Sequence, residues 1–410
     1  MNSISEFYKS QYGGILIKCA LLLIVFLIGL LLPSPLSQDD GEQVAMSMEE
    51  LADTIDMKIE KGVYTGSIIK GTNIRHGYGR FEIQDGAITY EGEWKDDALP
   101  YGMKTTKYSV YTGEFDKDLK NHGFGIIVYN DVYIREKCAQ NVPESDIVTK
   151  YIGNREKDNK SGIGRAMMND GSLQFGVYSE GILQSMNEAL YKIGDKVYGI
   201  DVSHYQRDID WDHLAIYCNK RGERVSSVSE YIQPVFFVYL KATEGATVKD
   251  DTYNARMIEA ERHGIVQGAY HVLHLTTSSI NEQLKNFFET VVWSPGDLPP
   301  ALDIEFENEI LVCGTDQFYE MVQKWLSEVE KKFGVKPIIY TNESIRSKYL
   351  QDGRLKGYDI WISKYNDSPQ NEDWRIWQIT EKGLVGGVEG NIDINLYKGD
   401  YNAFLDYVNR

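Results

Sequence analysis

The chain is short of positive charge. Its 43 lysines and arginines face 61 aspartates and glutamates, which leaves a formal charge of −18. A nucleic-acid partner needs a basic face to displace counterions, so that role is excluded. There is no polybasic surface for anionic lipid either. Cysteine is scarce: Cys19, Cys138, Cys218 and Cys313 lie far apart, with no C-x-x-C among them. They suit neither a zinc site nor a disulfide framework. No His/Cys/Asp cluster has metal-ligand spacing, and there is no G-x-S-x-G and no glycine-rich phosphate loop. No metal or cofactor is therefore expected. What is present is core-forming material, 42% hydrophobic and 12% aromatic, in a chain of 410 residues, long enough for two or three domains.

Long apolar runs are absent except at the start. Residues 13–32 are apolar apart from Lys18, and the uninterrupted part begins at Cys19. With Lys18 reaching toward the interface, this run is long enough to span a bilayer. Lys9 and Lys18 precede it, and Asp39, Asp40, Glu42, Glu49 and Glu50 follow. The positive-inside bias puts the N-terminus in the cytoplasm and the remainder outside. Residues 1–33 are read as an uncleaved signal anchor, the alternative being a cleaved signal and a secreted protein. Residues 34–61 read as an acidic linker, either a stalk or a polar helix.

Glycine punctuates residues 62–181. A Y-x-G start recurs at Tyr64-Thr-Gly66, Tyr90-Glu-Gly92, Tyr111-Thr-Gly113 and Tyr151-Ile-Gly153. About ten residues after each comes a glycine pair or its remnant: Gly77-Tyr-Gly79, Gly102, Gly123-Phe-Gly125 and Gly162-Ile-Gly164. Gly176-Val-Tyr178 looks like a last start with one residue lost. The gap after Tyr111 holds an insertion around Asp131 to Lys150. Each unit reads as a hairpin whose aromatic packs on the next and whose glycines permit close backbone approach. The runs Y-T-G-S-I-I-K-G, G-Y-G-R-F and Y-E-G-E-W-K-D-D resemble MORN repeats (membrane occupation and recognition nexus). The resemblance implies an elongated, twisted antiparallel β-ribbon that serves as a scaffold, a self-association surface or a lipid-proximal module.

From residue 196 onward, short apolar runs alternate with helical patterns. Strands are predicted at Tyr198–Ser203, Val235–Lys241, Val266–His271, Ala301–Glu305, Pro337–Thr341, Asp359–Ser363, Arg375–Ile379 and Ile392–Leu396. Helices are predicted at Trp211–Lys220, Asp250–His263, Ile280–Val292, Gln317–Phe333 and Glu343–Leu350. The pattern predicts an α/β fold: a modified (β/α) barrel over 196–410, with five β/α units and three further strands. Asp303-Ile304-Glu305 closes the fourth strand. Positions i and i+2 share a strand face, about 6.5–7 Å apart at Cα. Two acids side by side repel, and a pair that is more than two solvated acids suits glycoside cleavage. There, one carboxyl protonates the leaving oxygen and the other assists at the sugar carbon.

Tyr198-Gly-Ile-Asp201-Val-Ser203-His-Tyr-Gln206, with Ile209-Asp-Trp211, resembles the opening of glycoside hydrolase family 25, the muramidase (lysozyme) family. So do Val238-Tyr-Leu-Lys241-Ala-Thr243-Glu244-Gly245, Gly268-Ala-Tyr270-His271 and Leu298-Pro-Pro-Ala-Leu-Asp303-Ile-Glu305. Pro337-Ile-Ile-Tyr340-Thr, Asp359-Ile-Trp361-Ile-Ser-Lys364-Tyr365, Ile376-Trp377-Gln378 and Ile392-Asp393-Ile-Asn395 continue the match in order. Arg207, Val272 and Ile379 depart from the family's usual residues, which bears on the sugar subsites and not on the acids. The resemblance implies that Asp201, Asp303, Glu305 and Asp393 form the catalytic set, with Glu305 as proton donor. Substrate contacts are expected at Tyr270, His271, Tyr340, Trp361, Tyr365 and Gln378, where aromatic faces suit sugar rings. His271 reads equally as a core histidine. Lys241 and Glu244 read as a structural ion pair.

The implied reaction is hydrolysis of the β-1,4 bond from N-acetylmuramic acid to N-acetylglucosamine in peptidoglycan. The alternative is a wall- or lipid-proximal scaffold whose barrel binds glycan without cutting it. The expected partners are peptidoglycan strands, the membrane through residues 13–32, and a further copy of the chain through the repeats.

Overall fold

A computed structural model describes residues 51–410 except 60–61, 84, 185–195, 207, 220–224, 230, 352, 366, 370–372 and 410. The anticipated anchor at residues 13–32 lies outside the described residues. Among the described residues, no helix is long and apolar enough to cross a membrane.

The first half is one antiparallel sheet in which each strand pairs with its sequence neighbours. Its strands are β1 (Leu51–Ile59), β2 (Gly62–Ile69), β3 (Arg75–Ile83), β4 (Ile88–Trp94), β5 (Tyr101–Thr105), β6 (Ser109–Phe115), β7 (Asn121–Tyr129), β8 (Val148–Glu156), β9 (Asn159–Met168), β10 (Leu173–Ser179) and β11 (Ile182–Leu183). The linker expected over 34–61 is corrected here: residues 51–59 form the edge strand, paired to β2. The alternation in Leu51-Ala-Asp-Thr-Ile-Asp-Met-Lys-Ile is short, and it becomes a strand because β2 offers a free edge.

The glycines fall in register. Gly66, Gly79, Gly92, Gly102, Gly113, Gly125, Gly153, Gly164 and Gly176 oppose one another strand by strand, in one line across the sheet. Three of the start tyrosines, Tyr64, Tyr111 and Tyr151, lie over this line. A Cβ on Gly79 would sit 2.1 Å from the Tyr64 hydroxyl, and one on Gly125 would sit 2.4 Å from that of Tyr111. Each hydroxyl donates to the carbonyl three residues on: Tyr64 to Ser67 (2.8 Å), Tyr111 to Glu114 (2.9 Å) and Tyr151 to Asn154 (3.0 Å). The rings meet their neighbours edge-on, as in Tyr64–Trp94 at 5.6 Å and Tyr151–Tyr178 at 5.4 Å. The insertion after β7 begins with an exposed helix, Asp131–Ala139, and leaves the register intact.

The second half is a closed barrel. Its strands are β12 (Val197–Val202), β15 (Phe237–Glu244), β17 (Val266–Val272), β18 (Ala301–Ile304), β19 (Ile338–Asn342), β20 (Asp359–Ser363), β21 (Ile376–Gly383) and β23 (Ile392–Tyr397). Neighbours are parallel from β12 through β21, while β23 runs antiparallel between β21 and β12 and closes the ring. The helices Tyr253–Arg262, Ile280–Thr290, Thr315–Phe333 and Glu343–Tyr349 match four of the five predicted. The first β/α unit is corrected. Trp211–His213 is a single 3₁₀ turn, and Ala215–Cys218 (β13) is a strand beside β14 (Tyr231–Pro234) and β22 (Val385–Gly386). A run of Ala-Ile-Tyr-Cys is too short to hold a helix and fits a pleated edge. The short helix Glu307–Cys313 and the terminal helix Tyr401–Val408 were not anticipated.

The sheet rests on the barrel floor. Leu173 and Phe175 share a buried cluster with Val197, Phe236 and Phe237, which stand at the starts of barrel strands. The buried Arg165 donates to the Gly264 carbonyl just before β17, and its guanidinium lies 5.5 Å from the Phe236 ring. Phe124 packs on His263 at 4.0 Å. Strand starts lie at the end of a barrel opposite its catalytic rim.

Candidate active site

At the other end of the barrel the strands deliver carboxyls. Asp201 is the fifth residue of β12, and Asp303 the third of β18. Glu305 lies one residue beyond β18 and is exposed at the rim, whereas Asp303 is buried. The expectation that both stand within one strand is corrected accordingly: the chain leaves the sheet between them. Asp393 is the second residue of β23. Because β23 runs backwards, its beginning is at this rim, and Asp393 stands directly opposite Asp201 in the ladder.

Asp201 is held by two amides. Its Oδ2 accepts from Gln378 Nε2 at 2.9 Å and Asn395 Nδ2 at 2.7 Å. Each amide is fixed in turn. Gln378 Oε1 accepts from the hydroxyls of Tyr340 (3.0 Å) and Tyr365 (2.8 Å), and Asn395 Oδ1 accepts from Trp361 Nε1 (2.7 Å). Those donors leave only one orientation in which the amide N–H groups face Asp201.

The four acids titrate as a group. Burial is the first cause that raises Asp393 to about 9; the charge of Asp201 and a hydrogen bond shared with it add to this. The proton between the two therefore rests on Asp393 and is donated to Asp201. Asp303 is pushed well above the carboxylate range by burial, then by the charges of Glu305 and Asp201, against Lys241. Glu305 is raised by desolvation and by Asp201, while a Tyr340 hydrogen bond and Lys241 draw it partly back. One oxygen of Asp303, Oδ1, is buried with no hydrogen-bond partner among the described residues.

Several expected contacts are relocated. His271 is fully buried on the far side of β17. Its Nδ1 meets Thr243 Oγ1 at 2.7 Å, its Nε2 meets Gln283 Oε1 at 3.1 Å, and its ring stacks on Trp325. Burial lowers it to about 4, so it is a neutral core histidine and not a substrate contact. Trp361, 2% exposed, is stacked on Tyr239 at 4.4 Å and offers no free face to a sugar. Tyr340 and Gln378 are also buried, and they position Asp201 from behind. Tyr270 and Tyr365 remain partly open at the mouth, and burial, helped by the charge of Asp201, keeps both phenols neutral.

The expected Lys241–Glu244 pair is present at 2.5 Å and extends further. Glu244 also meets His274 Nε2 at 2.9 Å, and His274 Nδ1 meets Glu309 at 2.8 Å. The His274 ring lies flat on Phe306, the residue after Glu305. His274, Glu309 and Asn395 were missed in the sequence. Asn395 alone carried a signal, as the amide two residues after Asp393. Among the described residues, no group of three His, Cys, Asp or Glu side chains is arranged to hold a metal ion.

Residues 200–388 match the family model described as glycosyl hydrolases family 25. The chain is 31% identical over 216 residues to the uncharacterized protein YegX of Escherichia coli K12, covering 51% of this chain and 74% of that protein. The chain belongs to glycosyl hydrolase family 25. Lysozyme M1 of Streptomyces globisporus is 30% identical over 227 residues, with 52% of this chain and 71% of that protein covered. A bacterial lysozyme structure from Streptomyces coelicolor aligns at 29% identity and a TM-score of 0.44, over 52% of this chain and 97% of that one. All three alignments leave about half of this family 25 chain uncovered, while the family model falls within the barrel half.

Proposed function

We propose that the barrel hydrolyses the β-1,4 bond from N-acetylmuramic acid to N-acetylglucosamine in peptidoglycan. The observation that carries this reading is the orphaned, buried Asp303 Oδ1 beside Glu305, whose carboxyl is raised by desolvation and by Asp201. An acetamido N–H offered to Oδ1 would satisfy the orphan and favour ionised Asp303. Its charge then holds the proton on Glu305 until the glycosidic oxygen takes it. Asp303 would turn the substrate's own acetyl oxygen toward the anomeric carbon. Asp201 and Asp393, sharing one proton, would offer a net single charge to the oxocarbenium-like centre. Tyr270 and Tyr365 are two aromatic residues at the mouth available to sugar faces.

The test is digestion of purified peptidoglycan by the full chain, followed by identification of the new reducing end. A new N-acetylmuramic acid end is expected. A new N-acetylglucosamine end refutes the bond assigned, and glycan binding with no new end favours the non-cleaving scaffold.

We also read residues 62–181 as MORN-type repeats, on the tyrosine–glycine spacing, and residues 1–33 as a signal anchor with the barrel outside the cytoplasm. Protease added outside intact cells should remove the barrel. A protected barrel overturns that topology.

A further inference from the structure

The insertion that interrupts the repeats builds something. The helix Asp131–Ala139 buries none of its residues, so packing against a core does not account for it. It is pinned at one end. Asn130 accepts from the amides of Val132 and Tyr133 and donates to the Lys107 carbonyl at 2.8 Å, and Lys107 meets Glu136 at 3.0 Å. The result is that Tyr133 stacks on Tyr129 at 4.3 Å and meets Tyr108 edge-on at 6.4 Å.

Between these rings and the sheet lies a cavity of about 250 Å³, lined by Tyr108, Tyr129 and Tyr133 with Lys104, Ser109 and Asn121 among its polar residues. That is room for a small ring and not merely for one water. Asn121 is 4% exposed, and its Oδ1 is buried with no hydrogen-bond partner among the described residues. An orphaned buried acceptor is costly, so it calls for a donor. The local charge is already balanced: Lys104 lies 3.5 Å from Asp158 and 5.5 Å from the Tyr90 ring. A cationic ligand would meet Lys104 in the lining, and an anionic one would find that charge already paired with Asp158. A purely apolar ligand would leave Asn121 unsatisfied. A neutral pyranose has the flat C–H face that tyrosine rings accept and the hydroxyl or acetamido donors that Asn121 lacks.

We propose that this cavity is a saccharide-binding site, taking one pyranose ring of a neutral or N-acetylated glycan. It is separate from the barrel and is completed by Tyr133 of the insertion. A glycan held there and one held in the barrel would raise each other's effective concentration without any new contact at the acids.

The test uses the full chain carrying Glu305→Gln, so that no cutting can intervene, titrated calorimetrically with the β-1,4 tetramer of N-acetylglucosamine and with cellotetraose. Tyr133→Ala in that background should weaken one binding event by at least about tenfold, equivalent to about 1.4 kcal/mol. Tyr133→Phe, which keeps the ring, should restore it. Asn121→Leu should weaken the same event while leaving the unfolding temperature equal or higher, because it removes an unsatisfied acceptor. A purely structural role would lower both. Binding confined to the tetramer identifies the acetamido group as the donor, and binding of both sugars identifies a hydroxyl. Equal binding by the parent, Tyr133→Ala and Asn121→Leu variants overturns the proposal. The outcome does not depend on the barrel cleaving peptidoglycan, so either reading can fail alone.

Discussion

The sheet and the barrel both bring aromatic rings against backbone, but they do it by different means. In the sheet, Tyr64, Tyr111 and Tyr151 each lie on a glycine of the next strand, and Leu99 takes that place over Gly92 and Gly102. Every strand pairing there is between sequence neighbours. In the barrel, Tyr239, Tyr340 and Trp361 pack as a single group fed by three strands, and the amides above them reach Asp201 from β21 and β23. The sheet is thus a sum of local decisions, while the site is a meeting of residues up to 194 positions apart. Damage to a repeat should cost stability in proportion, whereas damage to the site should cost activity at once.

The largest expected effect is on turnover. Glu305→Gln should lower peptidoglycan digestion by about 10²–10⁴-fold, with the unfolding temperature and glycan binding retained. Near-parental digestion would remove Glu305 from the role of acid. Next comes a single methyl group in the sheet. Gly125→Ala places a carbon 2.4 Å from the Tyr111 hydroxyl. It should destabilise the sheet by about 1–3 kcal/mol, as overpacking does, without changing turnover of soluble glycan fragments. If those rates fall with stability, the two halves are not independent.

Deleting residues 62–181 sharpens the same point. The isolated barrel should keep its rate on soluble fragments, since among the described residues none of the sheet is a hydrogen-bond or charge partner of the four acids. It should also melt several degrees lower, because Phe236 and Val197 lose Leu173, Phe175 and Arg165. In the full-length protein the same deletion should reduce action on intact cell wall. Loss of activity on small fragments would show that the sheet completes the cleft.

The smallest effect is a slope. Asp393 is raised from 3.8 to about 9 on folding. Its contribution to stability is complete below the unfolded value and is lost as pH rises toward the folded one. Asp393→Asn should therefore flatten the fall in unfolding temperature measured from about pH 5 to about pH 9. An unchanged slope would mean that Asp393 holds no proton in the folded state.

Much of this was legible in the sequence. The eight barrel strands fall within a few residues of expectation because alternating apolar runs between helical stretches leave little freedom. The repeat starts were visible because tyrosine and glycine recur at short range. What remained hidden depended on the third dimension. Trp361 and Tyr340 read as sugar-stacking faces, since nothing in a linear run tells the inside of a barrel from its mouth. His271 reads alike as core or contact until Gln283 and Trp325 are seen around it. Ala215–Cys218 took strand form because β14 and β22 offered partners, a fact held in distant residues. The linker prediction failed at residues 51–59 for the same reason.

The glycine line has a consequence for how such a chain changes over time. Eight strands, β2 to β9, cross at positions where a side chain would strike its neighbour, so the middle of the sheet is closed to novelty. The turns are not. The loop between β7 and β8 has taken in a whole helix, yet Gly125 still faces Gly153 as Gly113 faces Gly125. The sheet behaves as a keel with free gunwales: material is added or shed along its edges, and the tyrosines amidships do not move.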